Sequence, residues 1–148
     1  MATQYVLVDT TVISHLTKAS KNSEMYNGML RDWRMAASFQ TPPELKGANF
    51  GSRRQQRLED LLAVTLKLPH SEATDVWYAR VAEKRKELRR RQFSGSDASD
   101  ADMWIISNAL EHRLPLLSHD EQQVSLGRAM GLRVLTNLPG LGDQNPSI

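Results

Sequence analysis

A chain of 148 residues, 40% hydrophobic and 24% charged, is long enough for one domain with a sizeable core. It has no cysteine, which excludes disulfides and thiolate metal sites and fits a reducing compartment. No apolar run approaches the roughly 20 residues of a membrane helix, and residues 1–7 lack the basic-then-apolar order of a targeting segment. The expectation is a cytoplasmic protein with no membrane partner.

The net charge of +2 is unevenly spread. Residues 53–91 hold eleven Lys and Arg against six acids, or +5, whereas residues 92–148 hold three against seven, or −4. A basic middle beside an acidic end suits a polyanion guided to a carboxylate site. A solvated helix face accounts for the same distribution without function.

In chain order, Tyr5-Val6-Leu7-Val8 reads as a buried strand, and Asp9-Thr10-Thr11 as capping chemistry for a helix through Val12, Ile13 and Leu16. Residues 24–35 read as a helix from the spacing of Met25, Met29, Leu30 and Trp33, with a short strand over residues 37–40. Thr41-Pro42-Pro43-Glu44 has the form of a helix start with a capping box. Residues 53–64 predict a helix, 65–68 a third strand, and 71–91 the longest helix, with Trp77, Val81 and Leu88 on one face. Residues 93–98 form a Ser/Gly loop, expected to be the loosest stretch. A helix over 99–112, a strand over 114–117, a helix from Asp120 to Gly131 and a strand over 133–135 follow. The domain is expected to span residues 1–136, with 137–148 a loose tail.

Alternating strands and helices predict an α/β fold: one domain with a central, mostly parallel sheet of four to five strands and helices on both faces. In such sheets functional groups gather beyond the carboxyl ends of the strands. Four acids, Asp9, Glu44, Asp102 and Asp120, fall where a strand or loop hands over to a helix. Each has a local explanation as a cap or a capping-box member. Capping does not explain convergence at one edge. A helix N-terminus stabilises an anion by about 0.3–1 kcal/mol, too little to offset close repulsion among several carboxylates. A divalent cation is the simplest neutraliser. Asp102 is the most telling, because it shares a helical stripe with Ile105, Ile106 and Ala109, where an unpaired carboxylate costs on the order of several kcal/mol.

Asp9-Thr10-Thr11 after a strand, Pro43-Glu44-Leu45, the run from Asp102 to His112, and Leu116-Leu117-Ser118-His119-Asp120 together resemble a PIN-domain ribonuclease. The chain is most similar to the VapC-type toxins of bacterial toxin–antitoxin pairs, over roughly residues 4–136. The resemblance maps the family's four acids, in order, onto Asp9, Glu44, Asp102 and Asp120. It implies Mg²⁺- or Mn²⁺-dependent hydrolysis of RNA, especially tRNA or other structured RNA. Asp9, Asp102 and Asp120 would hold the metal, Asp100 would be a secondary ligand, and Glu44 would complete the shell or orient water. Thr11 matches a small hydroxyl position near metal or phosphate. A small antitoxin and a homodimer are implied as partners.

Substrate capture is expected from Lys84, Arg85, Lys86, Arg89, Arg90 and Arg91, which fill six of eight places at one helix end, and from Arg53, Arg54 and Arg57. The same side chains suit an acidic antitoxin surface, and both readings stay open. His119 is read as incidental. The competing class is an inactive PIN-like module that binds RNA or protein. A haloacid-dehalogenase-type phosphatase would want an acid where Thr11 stands, and a receiver domain wants an acidic pair and a late lysine that are not evident.

Overall fold

In the computed structural model, which describes residues 4–142, Val6, Leu7 and Val8 are wholly buried. They end β1 (Gln4–Val8), an apolar strand without polar alternation that needs cover on both faces. The other strands are β2 (Trp33–Ser38), β3 (Leu66–Leu68), β4 (Leu116–Leu117) and β5 (Val134–Leu135). All pair in parallel, in the order β3-β2-β1-β4-β5, so β1 is central. The described residues also form seven helices: α1 (Thr10–Leu16), α2 (Lys21–Met29), α3 (Thr41–Lys46), α4 (Ser52–Ala63), α5 (Glu72–Arg90), α6 (Asp100–His112) and α7 (Glu121–Ala129). No helix among them is long and apolar enough to cross a membrane.

The two-residue period of the strands divides the core. Leu7, Ala36, Leu68, Leu116 and Val134 face α5, α6 and α7 through Val81, Met103, Ile106 and Leu126. Val6, Val8, Ala37, Leu117 and Leu135 face α1 to α4 through Ile13, Tyr26, Leu45 and Leu58. The expected α/β architecture is therefore the observed one, with five strands, all parallel. The chain turns outward through β2 and β3, then crosses to β4 and β5. That switch point lies between β1 and β4, where a crevice opens at the carboxyl edge.

Two local expectations are corrected. The helix expected over 24–35 is α2 alone, capped by Ser20 Oγ on the Ser23 amide at 3.1 Å, and Trp33 belongs to β2. Pairing of Gln4 with Trp33 and Leu7 with Ala36 satisfies one side of β1, and this nonlocal gain overrides the helical spacing of Trp33. The capping box at Thr41–Glu44 does not form. The N-cap is Gln40, without a side-chain bond, and the buried Thr41 hydroxyl meets Thr10 Oγ1 at 2.9 Å instead.

Residues 93–98 are tied down. The Gly95 and Asp97 amides both donate to Gln122 Oε1, at 2.9 and 3.1 Å, and Arg89 donates to the Ser96 carbonyl at 2.9 Å. Gly95 has a φ of +104°, and a Cβ there would lie 2.9 Å from the Leu126 nitrogen, so only glycine lets this turn lie against α7. Beyond β5, Leu138 and Leu141 pack on the core, and Arg128 donates to the Leu141 and Gly142 carbonyls at 2.8 and 2.7 Å. Residues 143–148 of the expected loose tail lie outside the described residues.

Candidate functional site

Asp9 follows β1 directly and caps α1: its Oδ1 accepts from the Val12 amide at 2.8 Å. Its Oδ2 accepts from Ser118 Oγ at 2.9 Å and from the His119 amide at 3.3 Å. The end of β4 thus grips the carboxylate at the end of β1, and Asp9 is only 2% exposed. Asp102, in the first turn of α6, accepts from the Ser99 amide at 3.0 Å through Oδ2, and the two residues form a capping box. Asp120 caps α7 through the Gln123 amide at 2.9 Å. Glu44 is exposed on α3 and accepts from Thr10 Oγ1 at 3.4 Å.

Asp9, Glu44 and Asp102 line one cleft with Thr10, Thr11, Ser99, Ile105 and Gln123. Asp120 sits beside it and raises the proton affinity of Asp102, as Glu44 does. Burial is the main cause of the elevated Asp102 pKa, opposed by the Ser99 bonds. Burial also raises the Asp9 carboxyl from 3.8 to about 6, against bonds from Val12, Ser118 and His119 and with help from the charge of Asp102. Among the described residues no Lys, Arg or His forms an ion pair with any of the four acids. Such a group of carboxylates, one buried, two half-buried and one exposed, all lacking a basic partner among the described residues, suits a cation.

The donors fit a hard, hydrated ion. All are oxygens, and the cleft of about 80 Å³ has room for a small cation with a few waters, since one water claims about 30 Å³. Among the described residues no three His, Cys, Asp or Glu side chains come close enough to hold one ion by themselves. Mg²⁺ commonly keeps several waters and takes one or two carboxylates, so the two observations are compatible.

The structure separates Asp100 from this group. Its side chain is 78% exposed, lies 3.5 Å from Arg85 Nη1 and does not line the cleft, so geometry lends no support to a secondary ligand there. Thr11 lines the cleft and is exposed, while Thr10 makes the contacts with Thr41 and Glu44. A wider cleft of about 690 Å³ at the amino edge, lined by Tyr5, Trp33, Leu110 and Pro115, has no carboxylate in its walls.

Several basic residues have local bonds. Arg85 donates to the Ala98 carbonyl at 2.9 Å and Lys84 to Glu87 at 3.0 Å, while Arg91 lies over Phe93 and 3.7 Å from Glu87. Arg54 donates to Thr17 Oγ1 at 3.1 Å and covers Phe50, and Arg57 donates to the Thr17 carbonyl at 3.4 Å. Arg53, Arg57, Arg89, Arg90 and Arg91 are exposed.

Three contributors escaped the sequence reading. Ser118 supports Asp9 and also accepts from the Asp120 amide at 3.1 Å. The His119 side chain is anchored in the fold: its Nδ1 lies 2.5 Å from Tyr26 Oη, and its ring packs edge-on to His15. Gln123 is fully buried and reaches Asp102. A polar residue between buried strand end and acid was a usable signal for Ser118; nothing local marked Gln123.

No family model and no curated protein matches the chain. Solved structures do. A chain of VapBC2 from Rickettsia felis, bound to a promoter DNA fragment, matches with a TM-score of 0.67 and 16% identity, over 90% of this chain and 98% of that one. VapBC-1 from nontypeable Haemophilus influenzae matches at 0.64 and 21%, over 90% and 98%. FitAcB from Neisseria gonorrhoeae matches at 0.62 and 23%, over 87% and 95%. At these identities the likeness establishes architecture, and the chain has the fold of these VapBC and FitAcB chains.

Proposed function

We propose that the protein is a Mg²⁺- or Mn²⁺-dependent endoribonuclease acting on tRNA or another structured RNA, and the toxin of a toxin–antitoxin pair. The carrying observation is the meeting of Asp9, Glu44 and Asp102 in one cleft, with Asp120 beside it and, among the described residues, no basic side chain paired with them. When bound, the metal would supply activation of water and stabilisation of charge on the phosphoryl oxygens. Asp9, Asp102 and Asp120 would hold it, partly through water. Glu44, exposed in the lining of the cleft, would complete the shell or orient the attacking water, and Thr11 would offer a hydroxyl to the phosphate. Arg53, Arg54 and Arg57 on α4, with Lys84, Arg85, Lys86, Arg89, Arg90 and Arg91 on and beyond α5, would take the RNA backbone. Likeness to VapBC and FitAcB structures supports a small antitoxin partner. A homodimer remains part of the proposal.

One observation favours a second reading, an inactive module that binds RNA or protein: among the described residues no three metal-type side chains are within reach of one ion. A panel of structured RNAs incubated with Mn²⁺, with and without EDTA, separates the two. Cleavage that EDTA stops supports the nuclease. Binding without cleavage across the panel overturns it.

A further inference from the structure

Gln123 is a polar side chain with no exposed surface, on the face of α7 that also buries Val124, Leu126 and Gly127. Packing alone would favour an apolar residue here. Its amide nitrogen Nε2 donates to Asp102 Oδ1 at 3.3 Å, while its backbone amide donates to Asp120 Oδ1 at 2.9 Å. A carboxylate oxygen only accepts, so the amide orientation follows from its partner. The other end, Oε1, is buried and has no hydrogen-bond partner among the described residues. An unpaired buried acceptor is a cost that fold stability does not explain. Gln123 also lines the cleft with Asp9, Glu44 and Asp102.

We infer that Gln123 is a positioning residue of the metal site: its side-chain amide holds the Asp102 carboxylate toward the cleft while its backbone fixes Asp120. This rests on the reading of Asp102 as a metal ligand. Ser99 and Gln123 then divide the carboxylate between them, one oxygen each, so that α6 and α7 aim a single group. Partners that orient a ligand in this way are commonly needed for full metal affinity.

The test measures Mn²⁺ affinity by calorimetry, and melting of the metal-free protein, for wild type, Gln123→Leu and Gln123→Met. Both replacements keep the volume near that of glutamine and remove the amide. The expected result is a dissociation constant weakened at least about tenfold in both variants, with metal-free melting unchanged or higher because the orphaned Oε1 is gone. Packing cannot produce that opposition. Affinity weakened less than about tenfold in either folded variant overturns the inference and leaves the metal reading standing. Collapse of metal-free melting in both variants also overturns it, since Gln123 would then be a packing residue. Wild-type protein that takes up no Mn²⁺ sinks the metal reading itself, and the inference with it.

Discussion

Ser118 donates its hydroxyl to Asp9 across the seam between β4 and β1, 109 positions away in the chain. The bond serves a carboxylate that is 2% exposed, in the strand pair where the sheet order reverses. Ser118→Ala leaves one oxygen of Asp9 with only the His119 amide. Cleavage efficiency should fall at least about tenfold, as for other partners of metal ligands. Metal-free stability should drop by roughly 1–3 kcal/mol at neutral pH, read by urea unfolding. Wild-type kcat/KM in this variant would contradict the role.

Asp9 links stability to pH with a definite sign. Its carboxyl is raised from 3.8 to about 6 in the fold, so the folded state holds the proton more tightly than the unfolded chain. Its contribution is present below about pH 4 and is lost as pH rises toward about 6, on the order of 3 kcal/mol. The half-buried Asp102 shifts in the same direction. Melting of EDTA-treated protein should therefore decline across that window, and Mn²⁺ should restore it at the upper end, where the carboxylates are charged. A melting temperature indifferent to Mn²⁺ at pH 7 would count against the site.

Asp9→Asn and Asp102→Asn should each abolish cleavage without loss of the fold. Asp9→Asn should stay folded at pH 7, because removal of a buried charge and the kept bond from Val12 offset the acceptor lost to Ser118 and His119. Circular dichroism and an RNA cleavage assay on the same samples check both halves. Full activity in either variant would remove the assigned roles.

The arginines make separable predictions. Arg89, Arg90 and Arg91 are exposed at and beyond the end of α5, and their joint replacement by alanine should weaken RNA binding and flatten its salt dependence by up to about 0.7 per lost phosphate contact. Arg54 bonds to Thr17 and lies over Phe50, so Arg54→Ala should also cost stability, about 1 kcal/mol. An unchanged salt slope in the triple variant would assign that patch to a protein partner or to solvent.

What could be read before the fold was known follows a physical division. Val6, Leu7 and Val8 announce a strand buried on two faces, and Ser71 and Ser99 announce helix starts, because those signals are local. Trp33 misled because its place is decided by pairing with Gln4, twenty-nine positions earlier in the chain. Glu44 misled in a similar way: Thr41, its expected capping partner, turned to Thr10 on a different helix. The order of the acids was visible, but the support of Asp102 by Gln123 was not, since a glutamine inside an amphipathic helix carries no local mark of its partner.

Asp9, Asp102 and Asp120 each serve as a cap or capping-box member for the helix they begin or adjoin. On the proposed function, the carboxylates are thereby held by backbone geometry before any ion would arrive. Loading should need little rearrangement, and stripping with a chelator should silence the protein without melting it. A zinc finger behaves in the opposite way, since there the ion organises the chain.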